Sequence, residues 1–184
     1  MAIQIKRDTA KEFEKFINLP ENVDKLFEFI GGEVVEVPSN PYSSQIATRI
    51  STYIGMYLLK NNIGHLTGEA GGYRIGGERY APDVAFIAKE KQSHLPAEGY
   101  NPNPPDLAVE VVSPSDSERL LSIKIGNYLA CETTVWVVRP DVAEVEIYRP
   151  GQPVKIVAKG GALDGGNILP GFTLALNDIF PQSG

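Results

Sequence analysis

The sequence predicts an α/β fold, a single domain over residues 1–184 with a mixed central β-sheet flanked by helices. Three observations carry this expectation. Short apolar runs opened by Pro-Asp or rich in β-branched residues recur along the chain, as in "DVAFIA", "DLAVEVV" and "TVWVV", and have the length of strands. Two other stretches repeat apolar residues at helical spacing, one at Ile46, Ile50, Ile54 and Leu58, the other at Leu121, Ile125 and Tyr128. The third is continuity: the chain shows no linker and no low-complexity tract, and its length suits one core.

Taken in order, "TAKEFEKFINLP" reads as a lead helix ending at Pro20. "KLFEFIGGEVVEVP" reads as a hairpin around Gly31-Gly32, a dipeptide suited to the positive φ of a tight turn. The Ile46 stripe then marks a helix, with Ser43 or Ser44 as its expected cap. "GHLTGEAGGYRIGG" is punctuated by glycine and expected to be extended. Strands are expected around Val84 to Ala88 and Leu107 to Val112, separated by a polar, proline-rich loop. A second long helix is expected over Ser115 to Ala130. There "SDSE" has the form of a capping box, Ser115 as cap and Glu118 three positions on. "TVWVVRP" and "AEVEIYRP" read as two strands joined by a turn near Asp141, and "LPGFTLALNDIFP" closes the chain.

Composition excludes several classes of function. Net charge is −6, which argues against a general electrostatic grip on nucleic acid but leaves room for a local groove, or for an acidic site that meets phosphate through a metal ion. The single cysteine, Cys131, precludes an internal disulfide or a cysteine-rich zinc site, and His65 and His94 are too few for a histidine-rich metal site. No apolar stretch approaches the roughly 20 residues that span a bilayer and the N-terminus lacks a signal-peptide core, so no membrane is expected and a cytoplasmic location is.

The chemistry concentrates on a few charged residues. In the run 107–112 a carboxylate, Glu110, sits between valines. Side chains alternate along a strand, so Asp106, Ala108, Glu110 and Val112 share one face while Leu107, Val109 and Val111 share the other. With both faces covered, Glu110 enters a buried layer, where an ionised carboxylate needs a partner or a metal. Asp83 opens a neighbouring strand and could supply a second oxygen ligand, since two carboxylates with carbonyls and waters suffice for magnesium. Against this, Asp83 and Asp106 both follow proline and could be turn formers. Lys124 falls on the flank of the apolar face of the second helix. It reads either as a partly exposed lysine whose stem covers core atoms or as a cation reaching towards Glu110. Lys89, just beyond the Asp83 strand, is the next candidate cation.

Pro82-Asp83, then Glu110 in an apolar strand, then a helix carrying Lys124, resembles the PD-(D/E)XK nuclease superfamily, and within it the Uma-two family of restriction-endonuclease-like proteins. The likeness extends over nearly the whole chain, through "FEFIGGEVVEV", "APDVAFI", "PPDLAVEVVSPSD" and "VWVVRPD". It implies a restriction-endonuclease-like core and a divalent-metal-dependent endodeoxyribonuclease. Asp83 and Glu110 would hold Mg2+ or Mn2+, and Lys124 would orient or help deprotonate the attacking water. It further implies DNA as the partner and allows a homodimer. The superfamily's usual lysine position falls on Val112, so Lys124 would replace it from the helix, and Asp106 would open its strand without binding metal. Three positions depart from the family pattern: Ser43 where a histidine is usual, Leu120 where an acid is usual, and Cys131 in place of a glycine. Glu28, Glu33 and Glu36 are all candidates for an accessory acid. The residues leave two alternatives open, a catalytically weakened nucleic-acid-binding or interaction module of the same fold and a purely structural protein.

Overall fold

The computed structural model describes residues 9–37 and 40–180. Its elements run α1 (Ala10–Ile17), β1 (Phe27–Ile30), β2 (Glu33–Glu36), α2 (Pro41–Lys60), β3 (Gly64–Gly68), β4 (Tyr73–Ile75), β5 (Glu78–Tyr80) and β6 (Val84–Ala88). They continue with β7 (Leu107–Val111), α3 (Glu118–Ala130), β8 (Thr134–Arg139), β9 (Glu144–Tyr148), β10 (Lys155–Val157), β11 (Ala162–Asp164), β12 (Thr173–Ala175) and α4 (Leu176–Ile179). The central sheet has six strands in the order β10-β9-β8-β7-β6-β3. It is mixed, because β7 and β8 pair parallel through the α3 crossover while the other neighbours are antiparallel.

The first part of the glycine-punctuated run, β3, is the edge of this sheet, whereas its second part, β4, and the expected hairpin do not extend it. The hairpin, β4 and the following β5 form a separate four-stranded sheet, β2-β1-β5-β4. The chain leaves it at Tyr80 and enters the central sheet at Val84, so Ala81-Pro82-Asp83 is the bridge between them. Proline suits that place, since it has no N–H to offer a ladder. The turn at Gly31-Gly32 has φ of 59° and 80°, the left-handed region that the dipeptide provides at little cost.

Alternation along the strands divides the interior in two. Leu107, Val109 and Val111 pack with Val84, Phe86, Trp136 and Val138 against Ile46, Ile50 and Ile54 of α2. Ala85, Ala108, Val135 and Val137 meet Leu121 and Tyr128 of α3 and Ile30, Ile75 and Tyr80 of the smaller sheet. Glu110 shares the parity of Ala108 and therefore enters this second layer, between the central sheet, α3 and β1.

Two expected caps are corrected. Helix α2 is capped by Asn40, whose side chain accepts from the Tyr42 and Ser43 amides, rather than by Ser43 or Ser44. Pro41 fills the first helical position, where its fixed φ is favourable. Helix α3 begins at Glu118, not Ser115, and Ser117 is the cap, accepting from the Leu120 amide. Asp116 closes the preceding turn by accepting from Ser113 N, which ends the strand before the helix can start. Glu118 is thereby free to pair with Arg139. Ser117→Ala is expected to cost about 1 kcal/mol, lowering the thermal midpoint by roughly 2–4 °C. Ser115→Ala, whose hydroxyl reaches only Ser113, should shift it less in the same melt. At the other end of α3 the left-handed residue is Glu132, φ 61°, while Cys131 has φ −97°, so glycine is not needed at 131.

Candidate active site

The β6–β7 register fixes the first pair of carboxylates. Val84 lies opposite Val109. Extending the ladder by one residue sets Asp83 across from Glu110, both on the α3 side of the sheet. Asp83 Oδ2 accepts from Val111 N at 2.6 Å, which anchors its carboxylate beside the strand that carries Glu110. Asp106, at the other end of β7, accepts from Ala88 N and Lys91 and stays out of the site, as expected of a residue that opens a strand.

Of the two readings of Lys124, the structure has the cation reaching Glu110 and not the lysine that only covers core atoms. The residue is 6% exposed, not partly exposed, because α3 turns Leu121, Lys124 and Tyr128 together onto the sheet. Its Nζ donates to Glu110 Oε2 at 2.6 Å and to Glu28 Oε1 and Oε2 at 2.8 and 3.1 Å. Tyr128 Oη donates to the other Glu110 oxygen at 2.9 Å, and Ala81 N donates to Glu28 Oε1 at 2.7 Å. The ammonium also lies 5.5 Å from the centre of the Tyr80 ring, a favourable cation–π distance.

Of the three accessory-acid candidates the structure brings only Glu28 into this cluster. It is 6% exposed, with its side chain on the Ile30 side of β1, whereas Glu33 pairs with Arg119 and Glu36 with Lys25 at the surface. A signal was present in the sequence: Glu28 alternates with Phe27 and Phe29, so it shares a face with Ile30. Tyr128 as a partner of Glu110 was missed, since its position on the apolar stripe marked it only as core. Lys89 is not in the cluster; it bonds Asn62 beyond the far end of β6.

These groups line a cavity of about 400 Å³ between the two sheets, bounded by the first turns of α2 and α3. Glu28, Glu69, Asp83, Glu110 and Asp116 contribute carboxylates, and Lys124 is the only cation among the described residues that line it. Negative charge is therefore under-compensated. Burial pushes Asp83 up to about 6, against the pull of the Val111 amide and Lys124. Burial likewise raises Glu110, and the neighbouring Glu28 and Asp83 add to it while Lys124 opposes. Burial alone would lower the Lys124 ammonium, but Glu110 and Glu28 outweigh it and hold the group above its ordinary value. The two carboxylates thus favour the ammonium form of Lys124.

Among the described residues no three His, Cys, Asp or Glu side chains converge closely enough to hold a metal ion on their own. The donor set nevertheless suits a hard cation that keeps several waters, because magnesium takes one or two carboxylates and completes its shell with water and substrate oxygens. Of the departures from the family pattern, Ser43 and Leu120 both line the cavity, and Leu120 brings an apolar wall where an acid would have added charge.

Fold and site together define a restriction-endonuclease-like α/β protein, with the Pro-Asp, strand glutamate and helix lysine gathered around one cleft. A family model described as "Putative restriction endonuclease" (Uma2) matches residues 13–177, and the chain belongs to that family. Its fold is similar to a crystal structure from Anabaena variabilis ATCC 29413, of "a putative nuclease belonging to DUF820", with a TM-score of 0.77 and 23% identity over 94% of this chain and 97% of that one. At that identity the likeness carries the fold alone. No curated protein matches the chain. Among the described residues no helix is long and apolar enough to cross a membrane.

Proposed function

We propose that the protein is a divalent-metal-dependent endodeoxyribonuclease that hydrolyses DNA phosphodiester bonds. Asp83 and Glu110 would hold Mg2+ or Mn2+. The observation that carries this reading is the charge imbalance of the cleft, where Glu28, Asp83 and Glu110 meet a single buried ammonium. Such a cluster gains most from a further positive charge, and a divalent cation supplies it.

When bound, the cation would supply charge stabilisation to the phosphoryl oxygens and lower the pKa of an attacking water. The protein's own residues do the positioning. Tyr128 and Lys124 hold the two Glu110 oxygens in place, and the Val111 amide holds Asp83, so the carboxylates are set before any ligand arrives. Glu28 keeps Lys124 protonated and fixes its Nζ at the cleft wall, where the ammonium can orient water and offset charge on the phosphoryl group.

A second reading, a catalytically silent binding module of the same fold, is favoured by one observation: both Glu110 oxygens already have protein partners. Cleavage of supercoiled plasmid and of single-stranded DNA, with Mg2+ or Mn2+ and with chelator, separates the two. Cleavage is expected with metal and none with chelator. DNA binding without metal-dependent cleavage would establish the second reading instead, and neither binding nor cleavage would sink both.

A further inference from the structure

We propose that a second pocket, beside the acidic cleft, holds one unpaired base of the nucleic acid through the side-chain amide of Asn101. The inference rests on the nuclease reading and specifies how the substrate is held next to the reacting phosphate.

The pocket has a volume of about 270 Å³ and lies between the β3–β4 turn and the loop that precedes β7. Asn101 lines it and is 4% exposed. Its backbone is fixed to β4, with Asn101 N donating to Gly72 O at 2.8 Å and Arg74 N donating to Asn101 O at 2.9 Å. Pro102 favours this extended conformation in the residue before it. Asn101 Oδ1 accepts from Asn103 N at 3.1 Å, which settles the orientation of the amide and leaves Nδ2 as the end that can only donate. Nδ2 is buried and, alone among the buried side-chain polar atoms of the described residues, has no hydrogen-bond partner. Burial raises the Tyr73 hydroxyl above its ordinary value, and the Thr67 and Asn101 side chains pull it down by less. The amide thus lies near Tyr73 but completes no hydrogen bond to it. A buried donor without an acceptor carries its full desolvation penalty, which a ligand with an acceptor would relieve.

No charged side chain lines this pocket. A phosphate would find no cation there, so the group it suits is neutral. Thr67 Oγ1 and Tyr73 Oη share one hydrogen bond at 2.9 Å, so one proton of the two hydroxyls is also left to donate. Leu95, Pro96 and Ala97 supply apolar wall. Donors and apolar surface together suit a flat, neutral ring with carbonyl oxygens on its edge, as in thymine, cytosine and guanine. Position favours the same occupant. Glu69 lines the acidic cleft and Ala70, the next residue, lines the pocket, so the two sites adjoin across the β3–β4 turn. A strand whose phosphate meets Asp83 and Glu110 has a base within reach of Asn101. Pairing would hide the edge of that base, so single-stranded or locally opened DNA is the form that fits.

Asn101→Leu keeps similar bulk and removes the donor, while Asn103 N, half-buried, can turn to water. Ala97→Trp, at an exposed position, narrows the pocket and leaves Asn101 in place should the first variant not fold. Thymidine is expected to move the proton resonances of the Asn101 amide in wild type and not in Ala97→Trp; their absence in Asn101→Leu assigns them. A nucleoside carrying difluorotoluene, which keeps the shape of thymine without its carbonyl oxygens, should leave them in place. On single-stranded DNA, difluorotoluene substituted for thymine one position at a time should raise KM roughly 3- to 10-fold at one position in wild type, with no such loss in Asn101→Leu. Resonances that stay still with thymidine, or move equally in Ala97→Trp, would overturn the pocket and leave the nuclease reading in place. A KM loss equal in wild type and Asn101→Leu at every position would do the same. Should wild type not cleave DNA, the nuclease reading fails separately, and the thymidine response alone decides the pocket.

Discussion

Lys124→Met is expected to destabilise the protein at neutral pH by about 3–5 kcal/mol, the range for breaking a buried ion pair by removing one partner. The Lys124 ammonium compensates two buried carboxylates, Glu28 and Glu110, at 2.6–2.8 Å, and methionine keeps the stem while removing the charge. A lysine with its charge in solvent would show almost no such effect. The loss should shrink as pH falls. The folded-state pKa of Glu110 is already raised by burial and would rise further without Lys124, so the folded variant holds its proton more tightly than the unfolded chain does. Its stability therefore falls as pH rises, and acid recovers it. Magnesium should raise the thermal midpoint of the variant more than that of wild type, by replacing the missing charge. Cleavage should fall by about 100-fold or more, as for loss of one charge-stabilising group. A variant as stable as wild type would show that the buried bridge is not formed, and unchanged cleavage would remove Lys124 from the mechanism.

Glu110→Gln separates metal binding from folding. Glutamine keeps the shape and one carbonyl to accept from Lys124 or Tyr128, so metal-free stability should change little. The magnesium-dependent rise in thermal midpoint should disappear, together with cleavage. In wild type that rise should itself depend on pH. The folded-state pKa of Asp83 is raised from 3.8 to about 6, so the folded protein binds this proton more tightly than the unfolded chain does. Without metal, the Asp83 contribution to stability is best at low pH and declines between roughly pH 4 and 6, with the full penalty above that window. Metal competes with the same proton, so its stabilising effect should grow over the same range. Asp83→Asn should flatten that part of the metal-free pH profile. Thermal melts from pH 4 to 8, with magnesium and with chelator, measure all of these; a magnesium shift that survives Glu110→Gln would place the cation elsewhere.

The sequence by itself determined the class of fold and named the residues that gather in the candidate site. Strand-length apolar runs and helical stripes are local patterns, set by the period of the backbone, and they located β6, β7, α2 and α3 correctly. Alternation placed Glu110 on the face away from Leu107, Val109 and Val111, and the ordered Asp83, Glu110 and Lys124 pointed to the family. Tertiary structure decided what local pattern cannot carry. Asn40 prevailed over Ser43 and Ser44 as a cap, and Ser117 over Ser115, because a cap depends on where the preceding chain turns into the helix. The hairpin became part of a second sheet, because sheet partners are chosen by distant strands. That second sheet delivered Glu28 rather than Glu33 or Glu36 to Lys124, and it turned a lysine read as partly exposed into a buried cation. Periodicity says which way a side chain faces along its own element; only the packing of β1, α3 and the central sheet against one another decides how deep it lies and which opposite charge it meets.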